Sequence, residues 1–230
     1  MLNQNYESFI KKFIDKGYKC IKFNELNNSK DRQLILRHDI DLEIDLALKM
    51  AEIENNLSIK STYFFLLSNA SYNLISSENI KKVKEIKNLG HTISLHFDMT
   101  VYKNPKEGLK YEKDIFNQTF DSSINVVSIH RPIEKFLENP ENYLSIENTY
   151  EKKYTKNNIT FFADSGGDFR FGNPLDSEIF HNINNIQLCI HPVWWIDNKN
   201  TINSTVNNII DLKSKKIKYH FEKSIKKFTG

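Results

Sequence analysis

The chain has 230 residues, 39% hydrophobic and 27% charged, with 32 Lys and Arg against 29 Asp and Glu for a net charge of +3. That balance excludes an intrinsically disordered chain, and it is too slight over this length to predict a nucleic-acid partner. With no run of about 18 apolar residues it predicts no transmembrane helix, and the length predicts one domain over residues 1–230.

Taken in chain order, the N-terminal stretch Met1–Lys12 has no apolar core followed by a small-residue cleavage site, so no signal peptide is expected. Phe9, Ile10, Phe13 and Ile14 fall on one face of a helix predicted from about Tyr6 to Lys16, stopped by Gly17. Cys20–Phe23 reads as a short edge strand. The chain then alternates. Strands are predicted at Gln33–Leu36, Ser61–Leu67, His91–Leu95, Val126–Ile129, Thr160–Ala163 and Ile186–Ile190. Between them, Leu46, Met50, Ile53 and Leu57 mark one helix, Ile80, Val83 and Ile86 a second, and Leu109, Phe116 and Phe120 a third. The connection Glu134–Lys156 is long and broken by Pro140, which predicts two short helices or an active-site loop.

A last helix starts at Ile202. Its lysines, Lys213 to Lys227, interleave with Ile217, Phe221, Ile225 and Phe228 and read as the wet face of an amphipathic helix, with a membrane-surface or polyanion role as the second choice. Cys20 and Cys189 are far apart and lack metal-ligand spacing, which predicts free thiols in a reducing, cytoplasmic compartment. Strand-helix alternation implies a parallel sheet covered by helices. The expected fold is α/β, a distorted or incomplete (β/α) barrel with six or seven parallel strands, and an open doubly wound sheet is the alternative.

In either architecture ligands sit at the carboxyl ends of the strands. The predicted ends carry Arg37-His38-Asp39-Ile40-Asp41, His96-Phe97-Asp98, His130-Arg131-Pro132, Asp164-Ser165-Gly166-Gly167 and His191-Pro192. Four of the seven histidines, His38, His96, His130 and His191, fall there. A single histidine on an apolar strand is usually a satisfied core residue; four on one rim, among aspartates, point to a divalent metal such as zinc. Asp39 and Asp41 share one side of their strand and would repel unless a cation or proton lay between them. Taken alone, Asp41 also reads as a cap for the helix that follows. His38 faces the other way and is placed behind the site. His91 is read as structural, and His181 and His220 as surface groups.

These five ordered motifs, from about Leu34 to Trp195, resemble the NodB-like polysaccharide deacetylases (carbohydrate esterase family 4-like), including small cytosolic relatives whose first motif reads Arg-His-Asp-x-Asp. The resemblance implies a distorted seven-stranded barrel and metal-dependent removal of N-acetyl groups from amino sugars. It makes Asp39 the general base, Asp41 and His96 metal ligands, Arg131 the group that orients the base, and His191 the general acid. The family's Asp-containing loop resembles Asp164-Ser165-Gly166-Gly167, with Phe169-Arg170 where an aromatic helps line the acyl pocket, and Asp164 is placed among the substrate-binding residues. Trp194 and Trp195 suit packing on a sugar face, and equally a core or lid. One departure stands out: where the family carries a second histidine four residues after the first, this chain has Thr100. His130 and Asp98 are the nearest replacements, and His130 is preferred as the third ligand.

The leading expectation is therefore a cytoplasmic hydrolase of an N-acyl bond on an amino sugar or glycan precursor, with zinc as cofactor and a small-molecule or glycan substrate. Lack of a signal peptide argues against mature cell-wall polymer. A hydrolase of another small amide, and a catalytically silent carbohydrate-binding or scaffold protein of the same fold, are the alternatives.

Overall fold

The computed structural model describes residues 5–28, 32–182, 184–197 and 199–228; Met1–Gln4, part of the stretch read for a signal peptide, lie outside them. Among the described residues eight strands pair in parallel: β1 (Lys19–Ile21), β2 (Gln33–Ile40), β3 (Thr62–Leu66), β4 (Thr92–Asp98), β5 (Val126–His130), β6 (Glu147–Asn148), β7 (Ile159–Ala163) and β8 (Asn185–Ile190). Their order is β6-β5-β4-β3-β2-β8-β7, with β1 paired to the start of β2. Helix α1 (Tyr6–Asp15) precedes the first strand, and α2 (Ile44–Asn56), α3 (Ser77–Asn88) and α4 (Pro105–Phe120) make the larger crossovers. Short helices α5 (Glu134–Glu138), α6 (Pro140–Tyr143), α7 (Lys152–Thr155) and α8 (Glu178–His181) follow, and α9 (Ile202–Ser224) ends the fold. Among the described residues no helix is long and apolar enough to cross a membrane.

One contact shows that the sheet curls. Ser128 on β5 donates to Asp39 on β2 at 3.0 Å, although β3 and β4 lie between. Across a flat sheet three strand spacings separate those residues by about 14 Å. The fold is thus an α/β incomplete barrel, open between β6 and β7 at the two ends of the sheet path, and the open doubly wound alternative is set aside.

Period-two alternation decides what goes inside. Ile35, Phe64, Val126 and Ile159 point inward at the amino ends of their strands and, with Phe23 and Tyr154, plug the bottom of the barrel. The opposite faces carry Leu34, Leu36, Ile186 and Leu188 against Phe9, Phe13 and Met50, and Leu95 and Phe97 against Val83 and Phe116. The helices are set by ordinary signals. Asn5 accepts from the Ser8 amide to start α1, Ser76 from Asn79 to start α3, and Asn104 precedes Pro105 at the start of α4.

The differences from the sequence reading have one physical source. β2 does not stop at Leu36 but runs to Ile40, and β4 runs to Asp98. Their upper halves point polar groups inward, where an apolar run cannot mark them. The connection Glu134–Lys156, expected to hold two short helices or an active-site loop, carries three, α5, α6 and α7, with the two-residue β6 between α6 and α7.

Candidate active site

Arg37 and Asp39 are consecutive inward positions of β2, and Asp41 follows just past its end. Asp41 does not cap α2: the cap position is Glu43, whose side chain makes no capping bond. The Asp41 carbonyl instead accepts from the Asn69 side chain at 2.9 Å, which fixes the turn. From β4 come His96 and Asp98, from β5 Ser128 and His130, and from the end of β8 His191. All of these but Ser128 border a cavity of about 730 Å³ at the carboxyl ends of the strands.

Asp39 is the most tightly held of them. Its Oδ2 accepts from Arg37 Nη2 at 2.9 Å and from Ser128 Oγ at 3.0 Å, while the buried Oδ1 makes no hydrogen bond. Burial alone would raise this carboxyl; Arg37, backed by His96, His191 and Ser128, overcomes it and holds it well below the usual carboxylate range. Arg37 is in turn fixed by Gln187 Oε1 at 3.0 Å and lies over the Phe161 ring. The ion pair and hydrogen bonds, prevailing over burial, make an ionised, oriented carboxylate with one free oxygen, the requirement for a base.

The role predicted for Arg131 beside Asp39 is not what the structure places there. Arg131 follows the end of β5 with a left-handed φ of 52°, so the chain turns sharply and its side chain, 70% exposed, stands 4.0 Å from Asp98. The guanidinium on Asp39 belongs to Arg37. Strand alternation carried that signal: Arg37, Asp39 and Asp41 are spaced by two.

Asp41, His96 and His130 form a second group whose donor atoms all lie within 4.8 Å of one another. His96 Nε2 is 3.2 Å and His130 Nδ1 3.5 Å from Asp41 Oδ1, an oxygen that is buried and makes no hydrogen bond. The His96 and His130 rings meet edge to face at 5.0 Å. One carboxylate and two imidazoles converging on a point is a donor set that fits a divalent ion with positions to spare. Asp98 is turned away from it, because its Oδ1 caps the next turn and accepts from the Thr100 amide at 3.0 Å and hydroxyl at 2.6 Å. Thr100 itself therefore points to Asp98 and not to the donor group.

His191 closes the site from the other side. Its Nδ1 faces Asp164 Oδ1 at 2.6 Å, which leaves Nε2 toward the cavity, 3.7 Å from Asp41 Oδ2. Burial would lower this imidazole, but Asp164 outweighs it and raises it to about 9. Asp164 was expected on the cavity wall. It is instead fully buried, with its oxygens on the His191 amide and ring and on the Trp195 indole N–H at 2.6 Å. Trp195 is correspondingly a buried support for Asp164, packed on Phe9 and Tyr6, whereas Trp194 lines the cavity.

A third group, Asp39, Cys189 and His191, also lies within ligand distance. Its donors are committed elsewhere: Asp39 to Arg37, His191 to Asp164, and burial pushes the Cys189 thiol up. His38 faces outward, 2.7 Å from Glu54 on α2, and His91 Nε2 is 3.1 Å from the Ala51 carbonyl.

No protein-family profile matches the chain, and no curated protein does. Among solved structures, it is similar to a family 4 carbohydrate esterase from Bacillus anthracis, with 15% identity and a TM-score of 0.48 over 90% of this chain and 86% of that one. A Streptococcus pyogenes deacetylase in complex with acetate is 17% identical, with a TM-score of 0.46 over 81% of this chain and 80% of that one. A family 4 acetyl xylan esterase from Clostridium thermocellum in complex with a cobalt ion is 10% identical, with a TM-score of 0.44 over 79% of this chain and 84% of that one.

Proposed function

We propose that this chain is a metal-dependent hydrolase that removes an N-acyl group, acetyl in the first instance, from an amino sugar or glycan precursor. The observation that carries the reading is the opposition of two pre-set groups across one cavity. Asp39 is held ionised by Arg37, and His191 is held protonated by Asp164, with Asp41, His96 and His130 between them.

Those last three residues would hold the ion, zinc in this proposal. The chemistry it would supply there is Lewis acidity, which polarises the acyl carbonyl and makes a nearby water more acidic. The chain's own residues account for the proton traffic. Asp39 Oδ1, the oxygen without a partner, takes a proton from the attacking water. His191 Nε2 delivers a proton to the amide nitrogen as the C–N bond breaks, so that an amine departs in place of an amide anion. Water and amide become carboxylic acid and amine, and the two residues return to their starting states by exchanging protons with solvent. Trp194 on the wall offers a flat apolar face suited to a sugar ring. Free Cys20 and Cys189 fit a cytoplasmic setting for this reaction.

The test is acetate release from N-acetylated amino sugars and their oligomers by zinc-loaded protein. Asp39→Asn is expected to lower kcat by about 10²–10⁴-fold while zinc binding persists. Zinc-loaded protein that binds such glycans but releases no acetate would establish the silent carbohydrate-binding alternative in place of this one.

A further inference from the structure

Helix α9 meets the body of the protein along one side only. Thr205 and Ile209 are buried, Lys213 reaches Glu43 at 3.0 Å and the Ser71 carbonyl at 2.5 Å, and Lys216 reaches Asp45 at 2.9 Å. At 3.6 residues per turn, Ile210, Ile217 and Phe221 point in nearly one direction, about a quarter turn from that side. All three are exposed, Ile217 by 56% and Phe221 by 47%. Beyond the helix the exposed Phe228 meets Phe221 edge to face with ring centroids 6.5 Å apart, and the exposed Ile225 lies between them in sequence. Residues 210–228 carry Lys213, Lys215, Lys216, Lys218, Lys223, Lys226 and Lys227 against only Asp211 and Glu222. Sequence alone suggested that the lysines make the wet face over an apolar face turned to the core. The structure instead leaves the apolar stripe outside as well.

We propose that this outer face of α9, with the residues that follow it, docks on an anionic phospholipid surface. An exposed apolar stripe on a lysine-rich helix of modest overall hydrophobicity is the pattern of helices that lie in a membrane interface. The charge decides against the other occupant of such a face, a second copy. Self-pairing would bring two lysine-rich segments together, whereas anionic headgroups neutralise them at a gain of about 1 kcal/mol per lysine. A stripe of three to five side chains is also small for a stable dimer, which buries roughly 800 Å² on each partner.

The body-facing side of α9 is tied to the cavity rim, since Lys213 holds the carbonyl of Ser71, a residue of the cavity wall. The docking itself does not depend on the hydrolase reading, since it is measured without turnover.

The experiment is sedimentation of the full chain with phosphatidylcholine vesicles, with and without a minor fraction of phosphatidylglycerol, at low and high salt. The protein is expected to pellet with the anionic vesicles only and to be released by salt. Ile217→Asp with Phe221→Asp is expected to abolish binding. Lys215→Gln, Lys218→Gln and Lys226→Gln together should weaken it roughly a hundredfold, at about fivefold per lysine. Both variants change exposed side chains, and an unchanged melting curve confirms that they fold. Equal binding to neutral vesicles, no binding to either, or binding that survives the Asp variant overturns the proposal. So does a dimer in sedimentation velocity that the Asp variant dissolves, which would assign the stripe to a second copy.

Discussion

Arg37 is 2% exposed, and its guanidinium divides between Asp39 Oδ2 and Gln187 Oε1. Removing one partner of such a pair strands a buried charge, which costs about 3–5 kcal/mol. Arg37→Gln is therefore expected to lose that much stability in urea unfolding. Arg131→Gln, changing a mostly exposed side chain 4.0 Å from its carboxylate, should stay within about 0.5 kcal/mol. Equal losses for the two would contradict the pairing of Arg37 with Asp39. Arg37→Lys should recover only part of the loss, because an ammonium cannot present the flat fork that meets Asp39 and Gln187 together. The third metal ligand is decided at the same scale. His130 faces Asp41, whereas both donors from Thr100 occupy Asp98 Oδ1. By calorimetric titration with zinc, His130→Ala should lose affinity by more than about tenfold and Asp98→Ala much less. The reverse order would transfer the ligand to Asp98.

Glu54 joins four elements at one buried point. It accepts from Tyr6 of α1 at 2.5 Å, Ser61 ahead of β3 at 2.6 Å and Tyr63 of β3 at 2.7 Å, and pairs with His38 of β2 at 2.7 Å. Burial would raise this carboxyl, but His38 and the hydrogen bonds prevail and lower it to about 2. A depressed carboxylate contributes stability that is present above its unfolded value, near 4.3, and is lost as pH falls through its folded value. The shift corresponds to about 3 kcal/mol, removed between roughly pH 4.5 and 2. Glu54→Gln should flatten the fall in unfolding free energy across that window, and an unchanged slope would show that other carboxylates drive acid unfolding. Nothing local in sequence announced this cluster. Glu54 sits in a helix whose apolar stripe was plain, and its partners come from another helix and from in and beside strands, 7 to 48 residues away. What could be read was whatever periodicity controls: the apolar lower halves of the strands, the faces of α1 to α4, and the rim on which Asp39, Asp41, His96, His130 and His191 gather. What could not be read was set by closure of the sheet. The lumen admits Arg37, Ser128 and Gln187 as inward strand residues, and only a curled sheet brings β5 against β2.

At the scale of the whole barrel, the seam between β6 and β7 has no strand pairing, so side chains must close it. Gln187, inward on β8, donates to the Thr149 carbonyl at 3.3 Å and the Tyr154 carbonyl at 2.6 Å, both beyond β6, while its oxygen holds Arg37. Arg37 lies over Tyr150 on one side of the gap and Phe161 of β7 on the other. The same guanidinium that fixes Asp39 is thus part of the closure of the barrel. Gln187→Ala deprives two buried carbonyls and one buried cation of their partner at once, at about 1–3 kcal/mol for each group left unsatisfied. A loss of several kcal/mol is expected, larger than that for any single exposed hydrogen bond. Its distribution is the sharper test: amide exchange should quicken in the segment 147–156 and in β7, while α2 and α3, packed on the far side of the sheet, keep their protection. Because Gln187 also positions Arg37, the variant should lose acyl-hydrolase turnover as well, although Gln187 touches neither Asp39 nor the metal-binding trio. A stable Gln187→Ala protein with unaltered exchange along the seam would mean that the barrel is held shut by the apolar plug at its base, with the polar lumen serving the site alone.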